Sequence, residues 1–138
     1  MTSSLAGPPS GAPSLHHIAV GTRNVENLAR FYRQLLVTSE ERRHLDEQGE
    51  LRSVWLELSG TLLMIERAAP QAAERAAVDG VGLGAFLLAF RADAAGRGRF
   101  EARAAELGAA VESRSAYTSY LRDPDGNRIA VSEYEVGG

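Results

Sequence analysis

The sequence predicts an α+β protein made of two successive βαβββ modules. Three observations favour this fold class: the first half reads as a strand, a helix and three strands, the second half repeats that order, and the halves match at a fixed spacing. The segment HIAV, which begins at His17, corresponds to the segment LLAF, which begins at Leu87, 70 residues later. A match of this kind indicates an internal duplication.

The first module, residues 15–67, begins with a short apolar strand and a capped helix. Asn24 is a residue type that commonly caps a helix, and the apolar residues after it recur with helical spacing. Three strand-like runs follow, and a Ser59-Gly60 turn that suits a hairpin joins the last two. The predicted strands are 15–20, 38–45, 52–58 and 61–66, and the apolar helix positions are Val25, Leu28, Phe31, Tyr32, Leu35 and Leu36.

A linker, residues 68–84, separates the modules and contains Pro70 and three glycines. Its glycine-rich stretch follows no predicted strand and opens no predicted helix, so it lacks the context of a phosphate-binding loop. The second module, residues 85–136, has Asp93 as the predicted helix cap and Gly108 as the predicted helix stop. Its predicted strands are 85–90, 110–114, 117–122 and 127–134.

Composition and charge exclude several classes of function. The chain has 138 residues, of which 44% are hydrophobic and 24% charged, so one domain can bury its own core without a disulfide. The absence of cysteine excludes a thiolate nucleophile and leaves His, Asp and Glu as metal ligands. The net charge of −3 gives no basic excess for binding nucleic acid or anionic membranes, and we expect neither partner.

The N-terminal residues 1–14 contain three prolines but neither a basic segment nor a long apolar run. They do not have the pattern of a signal peptide or a membrane anchor, and we expect them to form a flexible tail. Residues 15–138 are then expected to form a single domain in the cytoplasm.

Strand alternation divides the side chains of the predicted strands into two sets, because successive residues point to opposite faces. One set is expected to pack beneath the helices as the core: Ile18, Val20, Val54, Leu56, Leu58, Leu63, Ile65, Leu88, Phe90, Leu121, Ile129 and Val131. The other set is expected to face a cleft: Leu15, His17, Ala19, Ser53, Trp55, Glu57, Leu62, Met64, Glu66, Leu87, Ala89, Thr118, Tyr120, Arg122, Ala130, Ser132 and Tyr134. Apolar walls with a few aromatic and ionisable groups are typical of a pocket for a small organic molecule. A solvated sheet face is the alternative.

Five segments carry a family resemblance when taken together and in order. They are LHHIAV at 15–20, FYRQLL at 31–36, LLMIER at 62–67, LLAFRAD at 87–93 and DPDGNRIAVSEY at 123–134. In these segments the chain resembles the vicinal oxygen chelate superfamily, which includes glyoxalase I, bleomycin-resistance proteins, fosfomycin-resistance enzymes and extradiol dioxygenases. The resemblance implies a glyoxalase-like fold, in which two βαβββ modules form an open, incomplete barrel. It also implies a homodimer and a divalent metal held by two His and two Glu, one of each from each module.

The metal ligands that the resemblance implies are only half present. By position, the first module has His17 and Glu66, whereas the second has Leu87 and Ala130, which have no donor atom. A catalytic zinc normally keeps three protein ligands, so we expect remnant ligands only, no cofactor, and a divalent metal bound weakly at most. A symmetric homodimer would combine one half-site of each kind and would not restore the set. A less usual dimer with two first modules face to face would gather two His and two Glu.

The remaining site candidates come from the cleft-facing set and its neighbours. His16 and Glu133 are expected to point away from the cleft, and His44 with the charged run 40–43 is interpreted as an edge strand guarded by charge. The candidate ligand-binding residues are Trp55, Glu57, Met64, Tyr120, Arg122 and Ser132.

Three hypotheses about function follow. The leading one is metal-independent binding of a small organic molecule in the cleft, and the alternative is a lyase, isomerase or dioxygenase, either with a metal or with Glu66 and His17 as an acid–base pair. The third is a non-catalytic interaction or regulatory module. Against a catalytic role, His17 and Glu66 are also interpretable as inherited residues, with Glu66 paired to His17 or to Arg122.

Overall fold

The computed structural model describes residues 10–75 and 78–135 as two strand–helix–strand–strand–strand units. Most of the predicted tail, residues 1–9, lies outside the described residues, as do 76–77 of the predicted linker and 136 at the end of the second module. The elements of the first unit are β1 His17–Thr22, α1 Val25–Leu36, β2 Glu40–Leu45, β3 Leu51–Leu58 and β4 Thr61–Arg67. Those of the second are β5 Leu88–Arg91, α2 Ala94–Glu106, β6 Ser113–Arg114, β7 Thr118–Arg122 and β8 Arg128–Ser132.

The two units have the same sheet topology. The first sheet has the strand order β1-β4-β3-β2, and the second has the order β5-β8-β7-β6. In each sheet the first and last strands of the unit pair in parallel, while the other neighbours pair antiparallel. The predicted α+β fold of two βαβββ modules is therefore confirmed, and the two sheets do not close into a single barrel within the described residues.

Both helices start at the predicted caps. The Asn24 side chain accepts a hydrogen bond from the backbone N–H of Asn27 at 3.0 Å, and the Asp93 side chain accepts one from Gly96 at 2.7 Å. These bonds satisfy N–H groups that have no partner within the helix. After α2, Gly108 adopts a φ of +87°, a conformation that glycine enters at little cost. Neither helix in the described part of the chain is long and apolar enough to cross a membrane.

The core lies between the helices and the faces of the sheets that the alternation pattern predicted. All twelve predicted core residues belong to it: Val54, Leu56, Leu63, Ile65, Leu121, Ile129 and Val131 are buried, and Ile18, Val20, Leu58, Leu88 and Phe90 are partly buried against them. The strand ends differ from the prediction. Leu15 is 62% exposed and precedes β1, because the parallel ladder with β4 begins only at His17. β6 has two residues because its ladder with β7 pairs only Ser113 and Arg114.

A buried hydrogen-bond cluster joins the two modules on the helix side. The Tyr32 hydroxyl of α1 donates to Oδ2 of Asp123, in the turn between β7 and β8, at 2.5 Å. The Asp123 carboxylate also accepts bonds from the backbone N–H groups of Asp125 and Asn127 and from the Asn127 side chain. The DPDGN turn thus has a structural role, since its first residue fixes the turn and contacts the other module.

The environment of Tyr32 leads to a prediction for alkaline pH. Burial raises the pKa of the Tyr32 phenol far above its usual range, and the charge of Asp123 and its hydrogen bond act in the same direction. Above about pH 10 the unfolded chain loses this proton while the folded protein keeps it, so stability decreases by about 1.4 kcal/mol per pH unit from this group. Urea unfolding at several pH values in this range gives the slope of the unfolding free energy against pH, and this slope should differ by that amount between the wild type and Tyr32→Phe. A Tyr117→Phe control, at an exposed tyrosine, should keep the wild-type slope, and identical slopes for all three proteins would contradict the assignment.

Candidate functional site

The first sheet has a face that points away from α1, and its side chains form three cross-strand rows. Residues directly opposite each other in the register point to the same side of a sheet. We call this side the first open face. Its rows are His17–Leu62–Glu57, then Ala19–Met64–Trp55–Arg42, then Gly21–Glu66–Ser53–His44.

One corner of the first open face holds a compact polar cluster, which we call the polar corner: His44, Ser53, Trp55 and Glu66. Ser53 lies between His44 and Glu66 in one row, and its exposure is only 3%. The rings of His44 and Trp55 pack with their centroids 4.8 Å apart. The polar corner therefore combines a ring contact with a buried hydroxyl.

Three polar atoms of the polar corner are buried without a hydrogen-bond partner. They are Nε2 of His44, Nε1 of Trp55 and Oε2 of Glu66, and they are the only side-chain atoms of this kind among residues 10–75 and 78–135. Leaving a buried donor or acceptor unsatisfied costs about 1–3 kcal/mol, and most buried polar groups in proteins are paired. All three atoms belong to side chains of the same corner of the first open face.

The strand register separates His17 from Glu66. His17 is exposed and lies opposite Leu62, whereas Glu66 stands four residues further along β4, about 13 Å in the strand direction. The Nδ1 atom of His17 is 2.9 Å from that of His16. Arg122, the other suggested partner of Glu66, donates to the Gly126 carbonyl at 2.9 Å. Neither pairing that the sequence suggested for Glu66 is present.

The register also bears on the positions of the implied metal ligands. Ala130 lies opposite Ala89 in the second sheet, and the residue opposite the matching Ala19 in the first sheet is Met64. Glu66, opposite Gly21, therefore corresponds to Ser132 rather than to Ala130. The roles of His17 and Glu66 as remnant ligands stay predictions.

The residues that the structure describes do not fit a complete metal centre. The donors at the implied positions stand two rows apart in the first sheet, and Leu87 and Ala130 supply none in the second. Within the described ranges, no three or more His, Asp or Glu side chains are grouped so that they could hold a metal ion.

The predicted ligand-binding residues divide between two sheets. Glu57 and Met64 share the first open face with Trp55, and Oε1 of the exposed Glu57 accepts a bond from Gly60 in the hairpin turn. The others lie on the corresponding face of the second sheet: Tyr120, Arg122 and Ser132. In that sheet the Thr118 hydroxyl donates to the Ser132 hydroxyl at 2.9 Å. No hydrogen bond or ring contact among the described residues joins the two faces.

His44 is the residue of the polar corner that the sequence analysis missed. The sequence pattern places it in a charged edge strand, whereas the pairing of β2 with β3 places it opposite Ser53 on the first open face. Strand alternation is the sequence signal that could have placed His44 on this face. Arg43 points to the helix side, where it contacts Glu26 of α1, and its neighbour in the strand therefore points away.

Comparisons with known proteins agree with this architecture. A family model described as a glyoxalase-like domain matches residues 17–132. The chain superimposes on a lactoylglutathione lyase from Agrobacterium tumefaciens with a TM-score of 0.62, 22% identity and coverage of 89% of this chain and 95% of the other. A fosfomycin resistance protein from Listeria monocytogenes superimposes with a TM-score of 0.70 and 13% identity, over 91% of this chain and 94% of the other. A glyoxalase/dioxygenase from Nostoc punctiforme superimposes with a TM-score of 0.70 and 20% identity, over 93% of this chain and 95% of the other. No curated protein matches the sequence significantly. At these identities the solved structures show the shared fold alone.

Proposed function

This chain belongs to the glyoxalase-like domain family of the vicinal oxygen chelate superfamily, and we propose that it binds a small organic molecule on the first open face. The observation that carries the proposal is the set of three buried, unpaired polar atoms at the polar corner. A bound molecule would supply the missing hydrogen bonds. The proposal requires no metal ion.

The surroundings of the polar corner suit a flat ligand with an apolar body. Trp55 lies opposite Met64, and Ala19 continues the same row onto β1. Leu62 stands beside them in the next row. Apolar and aromatic walls with a few placed polar groups are the usual composition of small-molecule sites, and an indole offers a large face for ring packing.

The enzymatic alternative receives less support from the geometry. An acid–base pair must reach the same substrate group by hydrogen bonds of about 3 Å. His17 and Glu66 stand two rows apart on neighbouring strands, and this separation supports a binding role more than an acid–base role. A binding role uses Glu66 together with Trp55 and His44 instead.

The test uses the fluorescence of Trp55, which is the sole tryptophan of the chain. Titration of the purified protein with a set of planar aromatic fragments is expected to shift its emission and to saturate for those that bind. For each such fragment, calorimetry on Trp55→Ala should show affinity at least about tenfold weaker, because packing against an indole contributes more than about 1.4 kcal/mol.

The matched control is Tyr117→Ala, which removes an exposed aromatic side chain from the second module. Fragment affinity is expected to stay at the wild-type value in this variant. Fragments whose affinity is unchanged by Trp55→Ala, or a complete set that leaves the emission of Trp55 unaltered, would overturn the proposal.

A further inference from the structure

We propose that the polar corner recognises an uncharged, amide-like group, in which a hydrogen-bond donor and an acceptor stand side by side, and that it rejects a carboxylate of the same shape. This inference rests on the proposed function and specifies the ligand class. It follows from which atoms are unpaired, where they stand in the sheet and what charge they carry.

The unpaired atoms require hydrogen-bond partners of both kinds, a donor and an acceptor. Nε1 of Trp55 is a donor only, so it needs an acceptor, and Oε2 of the Glu66 carboxylate is an acceptor, so it needs a donor. Nε2 of His44 takes either role, because the tautomer of a neutral imidazole decides which nitrogen carries the proton. A ligand with acceptors alone or with donors alone leaves one of the three atoms unpaired.

The positions of these residues allow one small group to reach all of them. Trp55 lies opposite Met64, two residues before Glu66, so Trp55 and Glu66 are diagonal neighbours across β3 and β4. Diagonal neighbours lie about 7–8 Å apart, within the reach of long and aromatic side chains. His44 approaches from β2, with its ring centroid 4.8 Å from that of Trp55. A single primary or secondary amide carries both the acceptor that Trp55 needs and the donor that Glu66 needs.

Charge distinguishes an amide from its isosteric acid. A carboxylate ligand would place a second negative charge beside the buried Oε2 of Glu66, and like charges in a site shielded from water repel strongly. Arg42 shares the face but is exposed at the edge strand, where solvent and salt screen its charge. An amidinium would suit Glu66 but would present only donors to Trp55.

The experiment compares benzamide, benzoate and benzamidine, three probes of one shape that differ in their donors, acceptors and charge. At neutral pH, titrations followed by Trp55 fluorescence should rank benzamide first, with benzoate at least about tenfold weaker, the difference that corresponds to one buried hydrogen bond. Benzamidine should bind more weakly than benzamide. In Glu66→Gln, which keeps the volume but removes the charge and adds a donor, the preference for benzamide over benzoate should fall to within about threefold.

The charge control is Glu47→Gln, at an exposed carboxylate in the turn between β2 and β3, which should keep the wild-type ranking. Benzoate binding to the wild type as tightly as benzamide would overturn the amide inference and leave the proposed function standing. A ranking that Glu66→Gln does not change would also overturn it. If none of the probes changes the emission of Trp55 up to its solubility limit, ordered water is the partner of the three atoms, and both proposals are wrong.

Discussion

The Asp123→Ala variant is expected to unfold with a free energy about 4 kcal/mol below that of the wild type, because four hydrogen bonds end on one buried carboxylate. Tyr32 has no exposed surface, so its hydroxyl would lose its partner without gaining water. Two backbone N–H groups of the turn, those of Asp125 and Asn127, would lose their acceptor as well. Urea unfolding followed by circular dichroism measures the difference.

Variants at the same contact separate its components. Tyr32→Phe removes the donor but keeps the ring, and it is expected to cost about 1–2 kcal/mol. The double variant should cost less than the sum of the single ones, because both remove the same bond. Asp125→Ala, at an exposed position of the same turn, should stay within about 0.5 kcal/mol of the wild type. A loss below about 1 kcal/mol for Asp123→Ala would contradict the role assigned to it.

The contact between Tyr32 and Asp123 also couples the two modules. Tyr32 belongs to α1 in the first module, and Asp123 belongs to the β7–β8 turn in the second. Arg103 of α2 adds a second connection by donating to the carbonyl of Leu35 in α1 at 2.9 Å. Because both contacts are lost when either module opens, we expect a single unfolding transition in the wild type.

Local patterns allowed most of the fold to be predicted. Asn24 and Asp93 were identified as caps from residue type and position alone, since a cap needs only a short side-chain acceptor before an apolar helix pattern. Every residue that strand alternation assigned to the core lies in the core or packs against it, because a strand with one buried face shows that face by its period of two. α1 ends differently: Val37 adopts the left-handed conformation with a φ of 51°, and valine gives no signal for that geometry.

The site was harder to predict because it depends on register between strands that are distant in sequence. The motif LLMIER suggested Glu66 as the counterpart of Ala130, but the ladder of β1 and β4 aligns Met64 with that position. A shift of two residues keeps every side chain on the same face, so alternation cannot detect it. His44 became part of the site only through its pairing with Ser53. The polar corner therefore needed the three-dimensional arrangement of β2, β3 and β4.

Replacement of Arg97 by methionine is expected to cost about 3 kcal/mol, because its mostly buried side chain connects α2 to the rest of the second module through several hydrogen bonds, and a bond to a charged group contributes about 1.5–3 kcal/mol. Nε donates to the buried Ser119 hydroxyl at 2.8 Å, and Nη1 and Nη2 donate to the carbonyls of Ala116 and Ser115. Nη1 also pairs with the Glu133 carboxylate at 3.2 Å. Methionine keeps much of the volume but removes every one of these donors, and the half-buried Ser119 contact loses its charged partner. Thermal and urea unfolding measure the loss.

The planar fork of Arg97 is the property that this contact uses, and a lysine does not reproduce it. Arg97→Lys is therefore expected to recover less than half of the stability lost in Arg97→Met, although it keeps the charge beside Glu101, which lies 3.7 Å from Nε. Arg99, exposed on the same helix, is the matched position, and Arg99→Met should unfold within about 0.5 kcal/mol of the wild type. If Arg97→Lys matched the wild type, the net charge of the group rather than its several directed hydrogen bonds would hold α2 against β7.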